Sequence, residues 1–238
     1  MRSADLDREY IVGIPENYDP NTPYRLVFGM HPMGGSATGV RDDHWYNLQQ
    51  LDTKGNTIWV APQGYTDGAP WRGGDNKDHV FFEDIVKLLN SELCIDTSRV
   101  FSLGWSFGSM ITNSLAQTHQ DVLRGVVVYS TADFNIYFPP NSGKPLAYMG
   151  VHGIWDNLCP LDSGRRSAKR FVTNNGCTDE TAPEATFNGK HISHAFKCPS
   201  NYPVRWVTFN GPHSCVASDP GESTNWVPGE TWQFISQF

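Results

Sequence analysis

Ser106, Asp156 and His213 are residue types that together can perform nucleophilic acyl transfer, and each falls where that chemistry is usable. Ser106 is the centre of Gly104-Trp105-Ser106-Phe107-Gly108, a G-x-S-x-G pattern. In a chain with 22 glycines the five residues alone would be weak evidence, and the serine could simply cap a helix. Its flanks give the pattern meaning: the β-type run Arg99 to Leu103 precedes it and the helix-type run Ser109 to Ala116 follows. At such a strand-turn-helix junction the two glycines let the elements approach closely and lift the serine Oγ above the sheet edge. A serine hydroxyl is a poor nucleophile at neutral pH, so a histidine base and a carboxylate to orient it are required further along.

Both requirements are met in order. Asp156 lies in Ile154-Trp155-Asp156-Asn157, just past the β-type run Pro145 to Gly153. His213 follows the strand-like Val204 to Phe209 and the turn Asn210-Gly211-Pro212. Serine, then acid, then histidine is the chain order of α/β-hydrolases and not that of the chymotrypsin or subtilisin types. Asp133, after the run Gly125 to Ser130, and Asp162 are rival acids; the reading favours Asp156 and leaves cap or turn roles to the others. Of the eight histidines, His44, His79 and His119 sit in polar or helical surroundings and read as surface residues. His191 and His194 could share one helix face, but no acid or cysteine spacing makes them a zinc site, and no metal or other cofactor is expected. The negative oxygen of a tetrahedral intermediate needs backbone donors. One is expected to be the Phe107 N–H. The second is expected in His31-Pro32-Met33-Gly34-Gly35, after the strand-like Tyr24 to Met30; Pro32 has no N–H, which leaves Met33 or Gly34.

The elements that must hold these residues alternate as in a mainly parallel sheet covered by helices on both faces. Strands are expected near Glu9 to Ile14, Arg25 to Met30, Thr57 to Pro62, Val100 to Leu103, Gly125 to Tyr129, Ala147 to Val151 and Val204 to Phe209. Helices are expected near Tyr46 to Asp52, Val80 to Leu93, Phe107 to Gln117, Gly164 to Asn174 and Gly229 to Phe238. The link from Tyr129 to Ala147 is too short for much of a lid, so an open cleft is expected. No linker, repeat or charge block divides the 238 residues, and one catalytic domain over 1–238 is the simplest reading.

A net charge of −7 without a Lys/Arg cluster argues against nucleic acid as a partner. No apolar run approaches the roughly 20 residues of a membrane-spanning helix, which argues against a membrane. A monomer is expected. Met1 to Arg8 is no signal peptide, yet the five cysteines suggest an oxidising, extracellular compartment and a leader lost from this chain. Cys159 lies three residues after Asp156 and Cys215 two after His213, so a disulfide between them is expected to clamp acid to base. Cys177 and Cys198 flank a short polar excursion and form the second expected pair; any partner of Cys94 is expected in an N-terminal stretch not contained here.

Several motifs in fixed order carry a family resemblance: Tyr24-Arg25-Leu26-Val27-Phe28, His31-x-x-Gly34-Gly35, Val60-Ala61-Pro62-Gln63-Gly64, Val80-x-Phe82, Leu93-Cys94-Ile95-Asp96-Thr97, Gly104-x-Ser106-x-Gly108, His152-Gly153-x-x-Asp156 and Asn174-Asn175-Gly176-Cys177. From about Tyr10 to Phe238 the chain resembles the secreted feruloyl esterases of carbohydrate esterase family 1, especially the fungal type C and D enzymes, themselves related to polyhydroxybutyrate depolymerase-like esterases. That resemblance implies an α/β-hydrolase fold, the triad Ser106, Asp156 and His213, and ferulate or p-coumarate esters of plant cell-wall polysaccharides as substrates. Acetyl-xylan or short-chain polyester hydrolysis by the same triad is the second reading, and a non-catalytic carbohydrate-binding relative the third. Trp71, Trp105, Phe107 and Trp155 are candidates to stack on a phenolic ring, with Gly34 as a further substrate contact. Trp155 and the run Asn157-Leu158-Cys159-Pro160 depart from the family pattern beside the expected acyl pocket.

Overall fold

The computed structural model describes residues 1–199 and 201–238. Among them, eight strands form one sheet: β3 (Tyr10–Gly13), β4 (Tyr24–Met30), β5 (Thr57–Pro62), β6 (Ile95–Trp105), β7 (Gly125–Tyr129), β8 (Ala147–Gly153), β9 (Ile192–Ala195) and β10 (Val204–Phe209). Their spatial order is β3-β5-β4-β6-β7-β8-β10-β9. The strands from β5 to β10 in that order are mutually parallel, while β3 and β9 run antiparallel at the two edges. A separate hairpin, β1 (Arg2–Ser3) with β2 (Leu6–Asp7), precedes the sheet.

The parallel strands β4, β5, β7 and β8 are buried along their whole length, which is why they read as unbroken apolar runs. Alternate residues feed two cores. Leu26 and Phe28 pack with Phe81, Phe82, Met110, Ile111 and Phe171, so the helices Lys77–Glu92, Phe107–Leu115 and Leu161–Asn174 cover one face. Val27, Val127 and Val207 pack with Val40, Phe234 and Ile235, so the helices Ala37–Asp42 and Val227–Ser236 cover the other. Neither strand nor helix intervenes between Tyr129 and Ala147, consistent with a site that lacks a helical lid.

Several expectations need correction. The expected helix Tyr46 to Asp52 is instead a turn in which His44, Trp45, Tyr46 and Asn47 all have φ between 50° and 61°, followed by a 3₁₀ turn at Gln49–Leu51. Left-handed backbone costs about 1–2 kcal/mol per residue; burial of Trp45 against Trp59 and a buried Tyr46 hydroxyl offset it here. His191 and His194 do not share a helix: His194 is in β9, and the His191 ring and amide both bond Asp219. Cys177 and Cys198 are joined, closing a sequence separation of 21, worth roughly 3 kcal/mol in the loop-entropy picture. Cys159 and Cys215, in contrast, are free. Asp156 and His213 do meet, but Cys159 turns into the core on one sheet face and Cys215 packs on the core of the other. Burial pushes both thiols up to about 12, so neither is a thiolate at neutral pH.

His79 and His119 are not surface residues; they are 4% and 7% exposed. The Ser114 hydroxyl donates to the Tyr137 carbonyl, so it accepts from His79 Nε2–H at 2.7 Å. Burial, with a smaller contribution from His119, pushes the His79 imidazole down from 6.5 to about 3. Between those values the unfolded chain takes up a proton that the fold refuses. The stabilisation is therefore complete above about pH 6.5 and is lost as pH falls toward 3, by at most ~1.4 kcal/mol per pH unit. Urea unfolding across this window should give a slope shallower by about one proton in His79→Gln than in the native protein; identical slopes would contradict the buried, neutral histidine.

Candidate active site

Ser106 occupies the turn between β6 and the helix Phe107–Leu115 with φ 56° and ψ −124°, a region that non-glycine residues seldom occupy. The surroundings over-determine this conformation. Ser106 N–H donates to Tyr129 O at 3.1 Å, and its own carbonyl accepts from Met110 N–H at 2.9 Å and the Ser109 hydroxyl at 2.6 Å. The glycines of the pentapeptide are steric requirements: a Cβ at Gly108 would lie 2.0 Å from Met30 O, and one at Gly104 2.5 Å from the Gly108 carbonyl. This close approach brings the end of β4, and the loop after it, against the serine.

That loop is a turn closed by Gly35 N–H donating to Pro32 O at 3.0 Å, with Gly34 at φ 73° and Met33 more than half exposed. His31 anchors it from below. Its Nε2 accepts the Gly64 N–H at 2.9 Å, which leaves Nδ1 as the donor to Pro32 O, also at 2.9 Å. Burial lowers the imidazole pKa and favours this neutral form. Trp71 donates its indole N–H to His31 O at 2.9 Å and is 1% exposed. It is therefore a core support of the loop; the expectation that it stacks on substrate is corrected, because its ring is spent on packing against His31.

Asp156 and His213 are brought together by turns after the adjacent strands β8 and β10. His213 Nδ1 lies 2.8 Å from Asp156 Oδ2, while Asp156 Oδ1 accepts the N–H groups of Leu158 and Cys159 at 2.9 and 2.8 Å. Burial alone would raise the Asp156 carboxyl, but the hydrogen bond from His213 and those from the two amides bring it below its ordinary value. Asp133 is elsewhere, bound to the Arg166 guanidinium at 2.8 Å, and Asp162 pairs with Arg165. Trp105 packs beside His213, with ring centroids 5.5 Å apart. Trp155 is exposed, with its indole N–H on Asn210 Oδ1 at 3.0 Å.

Sequence reasoning gave no role to two residues. His152 is buried beneath the acid turn, with Nε2 2.8 Å from Cys159 O and 3.4 Å from Asp156 Oδ2. The short spacing to Asp156 in His152-Gly153-x-x-Asp156 was the available signal. Tyr46 donates to Met30 O at 2.6 Å and accepts from Trp105 N–H at 3.3 Å, tying β4 to the serine turn. Nothing local marks it, because its placement depends on the left-handed backbone.

The fold is that of an α/β-hydrolase, and the protein is a carboxylic ester hydrolase. No protein-family model matches the chain. It is 34% identical over 243 residues to feruloyl esterase D of Neurospora crassa, covering 97% of this chain and 82% of that protein. It is 33% identical over 234 residues to feruloyl esterase C of Emericella nidulans, covering 96% and 83%. The chain belongs to the feruloyl esterase C and D family. Among solved structures, an acetyl xylan esterase from Aspergillus awamori superposes with a TM-score of 0.69 at 16% identity, covering 95% of this chain and 93% of that one. A CE1 ferulic acid esterase from Anaeromyces mucronatus, in complex with ferulic acid, gives 0.67 at 16% identity, covering 99% and 86%.

Proposed function

We propose that this chain is a single catalytic domain, 1–238, that hydrolyses ferulate and p-coumarate esters of plant cell-wall polysaccharides through a Ser106 acyl-enzyme. The observation that carries the reading is the 2.8 Å hydrogen bond between Asp156 and His213, formed on loops at the same sheet edge as the strained Ser106 turn. Membership of a family whose relatives are named feruloyl esterases supports the acyl group.

In this mechanism His213 accepts the Ser106 proton as Oγ attacks the ester carbonyl, and the resulting imidazolium protonates the departing sugar oxygen. Water then attacks the acyl-enzyme, with His213 again as base, and ferulate leaves as Ser106 is regenerated. Asp156 holds the Nδ1–H tautomer, so that Nε2 faces the reaction. The amides of Phe107 and Met33 donate to the oxyanion; the Gly35 amide is occupied in closing its turn. Trp105 beside His213 supplies an aromatic surface near the reacting centre. The Cys177–Cys198 disulfide supports an extracellular setting.

Parallel rates on methyl ferulate, methyl p-coumarate, methyl sinapate and acetylated xylan test the reading. Methyl ferulate and methyl p-coumarate should be hydrolysed with the highest kcat/KM. Acetate release from xylan with no turnover of either hydroxycinnamate would overturn it.

A further inference from the structure

Of the eight large apolar side chains exposed among the described residues, six (Met33, Phe134, Trp155, Leu158, Phe187 and Val216) lie on loops at the sheet edge that carries Ser106. Phe187 belongs with them because β9 runs antiparallel to β10: Ile192 pairs with Thr208, so the segment before β9 lies beside the end of β10. Leaving such surface in water forgoes burial that would stabilise the fold, and a gathered patch of this kind marks a contact surface.

Two of these side chains form an ordered pair. Trp155 is 52% exposed and Phe187 70%, with ring centroids 5.7 Å apart and planes inclined by 42°. Trp155 is fixed at both ends: its backbone N–H donates to Gly211 O at 3.2 Å and its indole N–H to Asn210 Oδ1 at 3.0 Å. The Trp155 ring is thus pre-organised, so a ligand stacking on it has little of that side chain's rotamer freedom to remove. Exposed Asn157 and Asn188 adjoin it in the chain and carry amides suited to hydroxyl groups.

The reaction geometry tells which part of a substrate meets this surface. His213 must reach the oxygen of the departing alcohol to protonate it, so the alcohol lies on the His213 side of the carbonyl carbon and the acyl chain on the other. Trp155 precedes Asp156 directly and is bonded to Asn210 and Gly211, three and two residues before His213. Its ring therefore extends the His213 side. We propose that Trp155 and Phe187 are an aromatic platform for the polysaccharide on the leaving-group side of the ester, stacking against the C–H face of sugar rings beyond the one that carries the acyl group. This assignment rests on the ester-hydrolysis reading above, and it moves Trp155 from the phenolic ring to the sugar chain.

The test is the ratio of kcat/KM on a feruloylated arabinoxylo-oligosaccharide to that on methyl ferulate, which carries the same acyl group without a sugar chain. Phe187→Ala and Trp155→Ala should each lower this ratio about tenfold, through KM on the oligosaccharide, and Phe187→Tyr should restore it. The ratio is read only from active enzyme, so partial unfolding of a variant does not imitate the effect. An unchanged ratio in both alanine variants would overturn the platform. So would rates that fall equally on both substrates, or a loss confined to a polyester film such as poly(3-hydroxybutyrate). Native protein inactive on methyl ferulate would overturn the hydroxycinnamoyl-ester reading itself, which separates that failure from failure of the platform.

Discussion

Ser106→Ala is expected to lower kcat on methyl ferulate by about 10⁴-fold or more with no loss of thermal stability. The kinetic loss follows from covalent chemistry: without Oγ no acyl-enzyme forms, and the remaining donors and binding contacts give only a small residue of catalysis. The unchanged stability follows from local structure. Ser106 makes no side-chain capping bond to the helix that it starts, and its backbone is held by Tyr129 O and Met110 N–H irrespective of the side chain. Alanine meets the same φ of 56° with the same backbone partners. Folded variant protein turning over within tenfold of the native rate would remove Ser106 from the mechanism.

Asp156→Asn is expected to cost roughly 10⁴-fold in kcat, against less than about threefold for Asp133→Asn. In the native site one Asp156 oxygen accepts two amide N–H groups, while the other faces His213 Nδ1. An asparagine whose oxygen serves those amides presents its NH₂ to the imidazole, which selects the Nδ1 acceptor tautomer and puts the proton on the nitrogen that should act as base. The Asp133 carboxylate is instead paired with Arg166, so its replacement removes a partly exposed ion pair and leaves His213 untouched. Steady-state rates of both variants on methyl ferulate decide the point. A large loss in Asp133→Asn with little change in Asp156→Asn would reverse the assignment of the acid.

What was legible in the sequence was what local pattern determines. The extents of β5 and β7 coincide with their apolar runs, because these strands are covered on both faces and need no polar alternation. The serine turn was legible because its glycines are demanded by backbone contacts within a short stretch and with the neighbouring strand. Asp156 and His213 could be singled out because each lies in the turn that follows a strand. The errors share a different cause. Cys159 and Cys215 follow the hydrogen-bonded pair Asp156 and His213 closely in the chain, but their sulfurs pack into the cores on opposite faces of the sheet, which residue spacing does not reveal. His79 and Trp71 look like a polar-helix and a loop residue, yet distant partners, Tyr137 and His31, enclose them. Tyr46 reaches the serine turn through a left-handed segment that its residue types disfavour.

The covalent step itself is tested most directly by treating native protein with a fluorophosphonate, which phosphonylates an activated serine, and mapping the modified peptide. One label per chain is expected on the peptide containing Ser106, in step with loss of methyl ferulate hydrolysis, and labelling should be abolished in Ser106→Ala and slowed in Asp156→Asn. Complete inactivation with Ser106 unmodified, or label on another residue that persists in Ser106→Ala, would contradict the acyl-enzyme account.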